Sequence, residues 1–284
     1  MGCSFMQDNA LRKPLNLPVA ARKRWGRLQP AWRLNRQIAS LFTLGLVLAL
    51  WQLVTMLEIY PAFIIPTPQQ VVHKGVFVLR DGSLWLHTQT TLTAVLAGLA
   101  VGLVAGLTLG YAIALSPLLE SLLSPLIVAF QSTPVVAYAP LLVIWFGSGP
   151  TSKIVTGALI VFFPMLMNTI VGIRSTPSDL RDVMRSMQAT RWQMFIKLEV
   201  PAALPVLLGG LKVSATLAVI GAVVGEFVSA NAGLGFLINL ARSQYDTPLV
   251  IVAVLMLAVM ARLLYSLVSL LEHQLLRWQR RARA

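Results

Sequence analysis

Six long apolar runs, separated by short polar or proline-bearing segments, dominate the chain. They fall at about residues 38–57, 88–115, 122–146, 154–173, 203–228 and 247–271. A run of about 18 or more apolar residues can cross a hydrocarbon core roughly 30 Å thick as a helix. Inside a bilayer every backbone polar group needs an internal partner, so spans are helices or closed barrels. These runs are continuous and lack the period-two alternation of a barrel strand, which selects helices. The pattern predicts an all-α, polytopic membrane protein with six transmembrane helices.

The polar positions inside the runs refine this. After the first run, Pro66 and Pro68 break the chain, and Pro68 is placed to start a short surface helix towards Leu79. In the second run Ala94, Gly98, Gly102, Gly106 and Gly110 recur every fourth residue. That spacing lines one helical face with small residues, against which another backbone packs closely. The partner is either in this chain or in a second copy. The third run contains Pro125, Pro134 and Pro140, so a kinked or broken helix is expected. Gln131, Ser132 and Thr133 sit beside the break. They either present polar groups to a solute pathway or satisfy carbonyls freed by Pro134.

The most polar interruption is residues 174–201, between the fourth and fifth runs. Arg181, Arg185 and Arg191 alternate there with Val183, Met184 and Met187. The spacing predicts a short amphipathic helix, and Pro201 and Pro205 open the next span.

Composition and charge then fix the orientation. The chain is 57% hydrophobic and only 12% charged, with a net charge of +13. Eight of the 23 Lys and Arg lie in residues 1–37, five between Arg174 and Lys197, and four after Leu276. Clusters that flank apolar runs follow the positive-inside rule and argue against nucleic-acid binding. Residues 1–37 and 276–284 are therefore expected to be basic cytoplasmic tails around a transmembrane domain spanning 38–275. Trp25 and Trp32 in the first tail fit contact with membrane lipid or simple disorder. The loop between runs two and three carries Glu120 and no Lys or Arg, so it adds nothing to the orientation. The expected location is a membrane crossed several times, with both termini cytoplasmic. Cys3 is the single cysteine, which excludes an internal disulfide and a cysteine metal cluster.

No catalytic constellation is present in the sequence. His73, His87 and His273 are scattered, and no H-E-x-x-H, G-x-S-x-G or GK[ST] pattern occurs. No metal site is expected, and the chain has no ATP-binding motif. Asp179 and Asp182 fit a solvated helix start. Lys212, Glu226 and Arg262 are the ionisable residues within or near spans. The two cations fit snorkelling to the interface, whereas Glu226 faces a solute path or makes a structural hydrogen bond.

The segment 174–201 resembles the cytoplasmic loop of permease subunits of binding-protein-dependent ABC importers. Asp182-Val183-Met184 stands where that family has Glu-Ala-Ala, Gln188 stands where Gly is usual, and Ala189 follows. Leu198, Val200 and Pro201 keep the end of the motif. IIPTPQQVV, TPVVAYAPLLVIWFGSGPTSKI, VPAALPVLLGGLK and GEFVSANAGLGFLI look like the nitrate, sulfonate and taurine group. The GEFV form at residues 225–228 leans towards members handling pyrimidine vitamin precursors or riboflavin. The resemblance implies a type I ABC importer permease fold and a second permease copy. It also implies cytoplasmic ATPase subunits that carry the ATP and Mg, and an external solute-binding protein. Docking to the ATPase would fall to Arg181, Asp182, Val183, Met184, Arg185, Met187, Gln188 and Ala189. The competing expectation is an ATP-independent secondary transporter or channel.

Overall fold

The structure is a computed structural model that describes residues 36–228 and 230–277. The expectations for Cys3, Trp25, Trp32 and the final basic residues lie outside the described residues. Two units meet at Leu50 and Trp51, and the account below concerns the second. Every regular element among the described residues is helical. They are α1 (Arg36–Met56), α2 (Pro68–Arg80), α3 (Ser83–Leu115), α4 (Pro117–Ser132), α5 (Val135–Phe146) and α6 (Pro150–Arg174). After these come α7 (Ser178–Ser186), α8 (Arg191–Met194), a π-turn at Phe195–Glu199, α9 (Val200–Val228), α10 (Leu234–Ser243) and α11 (Thr247–Leu275).

The six apolar runs map onto these helices with unequal lengths. Four helices are long and apolar enough to cross a membrane: α3, α6, the continuous run Arg191–Val228, and α11. The third run is a bent pair, α4 and α5, meeting at 99°. The first run supplies a shorter apolar helix, Leu41–Met56. The break between α4 and α5 falls at Thr133 and Pro134, because Pro134 has no N–H to continue the ladder and disfavours a helical residue before it.

Local chemistry sets the shorter helices. Thr67 caps α2 in a reciprocal box: its hydroxyl accepts from the Gln70 N–H at 3.3 Å, and the Gln70 side chain accepts from the Thr67 N–H at 2.9 Å. Pro68 then occupies the first helical position, as its fixed φ favours.

The core is a three-helix block of α3, α6 and α9, and its partner for the glycine stripe is in the same chain. A Cβ on Gly102 would lie 2.6 Å from the Ala158 carbonyl oxygen and 2.8 Å from Val161 Cβ. On Gly110 it would lie 2.7 Å from Thr169 Cβ. A second small-residue contact joins α6 to α9, where a Cβ on Gly221 would lie 2.7 Å from Gly157 Cα. Such close backbone approach is how helices pack tightly without a hydrophobic driving force between them. Around this block α11 packs on α9 and α10, and α2 packs on α11 through Val71 and Val78.

Two polar contacts brace α11. Lys74 on α2 pairs with Asp246 at 2.5 Å, and Asp246 also caps α11 through the Leu249 N–H. Lys212 on α9 forms an ion pair with Glu272 on α11, beside the Tyr265 ring. Snorkelling is thus an incomplete account of Lys212, since its charge is matched within the chain. Arg262 also lies over the same ring, at 5.9 Å.

Candidate functional site

The amphipathic helix expected in 174–201 is α7. It follows Pro177, carries Asp179 in its first turn and Arg185 in its last, as the helix dipole favours, and buries none of its residues. Leu180, Val183 and Met187 are 48%, 54% and 72% exposed. At spacings of three and four they form one apolar stripe turned away from the chain. Met184, four positions after Leu180 and three before Met187, is half-buried at the edge of this stripe. Leu180 was not among the expected docking residues, although its spacing from Val183 already carried the signal.

The arginines divide in role. Arg185 is exposed and pairs with Asp182 one turn back at 3.3 Å. Arg181 turns inward. Its Nη2 donates to the Ile173 carbonyl at the end of α6 at 2.8 Å, and lies 3.8 Å from Glu199 Oε1. Glu199 ends the π-turn and is 4% exposed. Its other oxygen accepts from the Tyr111 hydroxyl at 3.0 Å, near the end of α3. The Tyr111 ring meets Phe195 edge-on at 5.0 Å, and Trp192 stacks on Phe195 at 5.6 Å. A cleft of about 550 Å³ opens beside Glu199, lined by Tyr111, Arg181, Arg185, Ala189, Arg191 and Met194.

The α7 C-terminus is closed by a Schellman motif. Gln188 takes φ 53°, its N–H donates to Arg185 O at 2.9 Å, and the Ala189 N–H donates to Met184 O at 3.0 Å. The position where the family prefers Gly therefore keeps its left-handed geometry with Gln in place. Thr190 and Gln193 then form a capping box that starts α8.

The residues at the α4–α5 bend are far from α7 in the chain and serve two ends. Ser132 and Thr133 both donate to the Ala129 carbonyl, at 2.9 and 3.0 Å. The Tyr138 hydroxyl lies 2.8 Å from Phe130 O and 2.7 Å from Thr133 O. These groups satisfy carbonyls that the break releases. Gln131 is exposed at the same bend.

Glu226 is 1% exposed, at the opposite end of the helix block from α7. Oε1 accepts from the Thr91 hydroxyl at 2.8 Å, and Oε2 accepts from the Gly235 N–H in the first turn of α10 at 2.7 Å. Thr91 in turn accepts from the Leu234 N–H at 2.7 Å, and His87 Nδ1 accepts from the Gly233 N–H at 3.1 Å. Lys153 is buried nearby and donates to the Ala232 carbonyl at 3.2 Å. Gly233 has φ 127°, and a side chain there would overlap the Glu226 carboxyl. Both Glu226 oxygens are thus committed inside the chain. Among the described residues, no three His, Cys, Asp or Glu side chains gather as a metal site.

Known proteins show the same pattern. The profile of the family described as "Binding-protein-dependent transport system inner membrane component" matches residues 98–277. The riboflavin transport system permease of Chloroflexus aurantiacus is 48% identical over 237 residues, covering 84% of this chain and 88% of that protein. The formylaminopyrimidine transport permease of Halalkalibacterium halodurans is 34% identical, over 83% of this chain and 94% of the relative. The taurine transport system permease of Escherichia coli is 33% identical, over 89% and 94%. A solved inward-facing methionine ABC transporter superposes with a TM-score of 0.57 at 21% identity, over 70% of this chain and 97% of that one, and shares the fold. The chain belongs to this family of inner-membrane components and is a permease subunit of an ABC importer.

Proposed function

We propose that two copies of this permease enclose a solute pathway, and that each copy docks α7 onto a cytoplasmic ABC ATPase subunit holding the ATP and Mg. A solute-binding protein delivers the solute at the α10 end. The observation that carries this reading is the exposed stripe of Leu180, Val183 and Met187 on a helix that buries nothing within its own chain. An apolar stripe in a basic, water-facing loop calls for a partner, and helix-in-groove docking is the mode that fits it. Asp182, Arg185, Gln188 and Ala189 complete the docking segment, and Met184 backs it.

In this arrangement the α7 end faces the cytoplasm, as do both termini, with basic residues concentrated there. Gln131, Ser132 and Thr133 line the pathway at the α4–α5 bend. Glu226, with both oxygens engaged, shapes the α10 end rather than facing solute. The solute is an aromatic heterocycle of the riboflavin or pyrimidine-precursor kind, a reading supported by the names of the riboflavin and formylaminopyrimidine relatives above. A small sulfonate is the second reading, from the taurine relative.

The test is co-expression with the ATPase, followed by affinity purification and ATP hydrolysis. Met184→Asp and Met187→Asp release the ATPase or uncouple its hydrolysis, while the permease still inserts. Uptake of radiolabelled riboflavin, against taurine, by reconstituted complex separates the two solute classes. Uptake by the permease without any ATPase would replace this reading with an ATP-independent transporter.

A further inference from the structure

We infer that Glu199, with Tyr111 and Arg181, is the tie through which movement of α7 reaches the transmembrane block. The inference rests on the docking role proposed for α7 and names the residues that make docking productive.

The side-chain contacts of α7 are otherwise local. Arg185 bonds Asp182, and Ser186 donates back to Val183 O. No α7 residue is buried, so packing does not fasten it to the spans. Arg181 is the exception, and directly or through Glu199 it is linked to three helices. It donates to the last turn of α6 at Ile173 and pairs with Glu199 at the start of α9, and Glu199 takes the hydroxyl of Tyr111 near the end of α3. Those are the same three helices that the glycine contacts pack into one block. A helix fastened to three mutually packed helices at one point can shift them together, as rigid-body coupling requires.

Two features suit the tie to movement. Glu199 closes a π-turn, an element that is frequent at functional sites in otherwise regular helices. The cleft beside it leaves room for the Arg181 guanidinium to change partners without displacing packed side chains. Glu199, Tyr111 and Arg181 are thus positioning residues, acting on the pathway through the helices they hold.

The test uses the full complex of permease and ATPase, followed by amide hydrogen exchange with and without ATP, Mg and vanadate. In the wild type, nucleotide trapping changes exchange in α7 and, with it, at the ends of α3 and α9 nearest Glu199. In Tyr111→Phe the α7 change remains and the change at α3 is lost, and in Glu199→Gln it is lost at both α3 and α9, with the ATPase still bound. If Glu199→Gln does not assemble, Tyr111→Phe, which removes a single hydroxyl, decides alone. A change that still spreads to α3 in Tyr111→Phe would overturn the tie. Wild-type permease that retains no ATPase would instead overturn the docking reading itself.

Discussion

Glu199 and Glu226 are buried near opposite ends of one continuous helical run, Arg191–Val228, yet they are held very differently. Glu226 has a full hydrogen bond on each oxygen, one of them from a backbone N–H, and Lys153 close by. Its neighbours are bonded to one another, so His87, Thr91, Gly233, Leu234 and Gly235 form a closed network. Glu199 has one hydroxyl bond and a guanidinium at 3.8 Å, next to an open cleft. A fully satisfied buried network rigidifies its surroundings, and a partly satisfied one is free to rearrange. The same side chain, in the same helix, thus fixes one end of the block and leaves the other adjustable.

The largest expected effect tests that contrast directly. Glu226→Ala strands the Gly235 N–H and removes the partner of Thr91, and is expected to cost about 2–4 kcal/mol. Glu199→Ala strands one hydroxyl at the edge of a cleft and is expected to cost about 1–2 kcal/mol. Thermal unfolding of the purified permease in detergent compares them, and equal losses would erase the distinction. Next comes the block that joins the two ends. Gly102→Val forces α3 off α6 and is expected to cost about 1–3 kcal/mol, whereas Gly209→Val, where an added Cβ meets nothing within 4 Å, leaves the midpoint unchanged. The smallest effect sharpens the adjustable end. Gln188→Gly relieves a left-handed backbone and is expected to gain roughly 0.5 kcal/mol, read as slower amide exchange at Ala189.

Much of this architecture was legible in the sequence because it is periodic or punctuated. The spacing of Gly98, Gly102, Gly106 and Gly110 marked a packed face, Pro134 marked the break, and Pro68 marked the start of α2. What periodicity does not encode is which distant groups meet. Thr91 and Glu226 are 135 positions apart, and Tyr111 and Glu199 are 88 apart. The same limit applies to Lys212, whose counter-charge lies on another helix at Glu272. Alternation in residues 174–201 predicted an amphipathic helix but not that Arg181 would turn inward while Leu180 joined the exposed stripe. Helix α10 was missed because ten residues between two spans show too few periods to stand out. The π-turn has no sequence pattern at all.

The glycine contacts also govern how the protein is made. The face of α3 that bears Gly98 to Gly110 has its partner on α6, and α4 and α5 are synthesised between the two. At about 5–20 residues per second, the ribosome needs several seconds to complete Pro117–Arg174 after α3 has emerged. During that interval α3 waits in the bilayer, or beside the insertion machinery, with its small-residue groove uncovered and Thr91 without the Glu226 that it will later bond. A nascent chain truncated before Pro150 keeps the groove open permanently, because the residues that close on Gly98, Gly102, Gly106 and Gly110 all lie on α6.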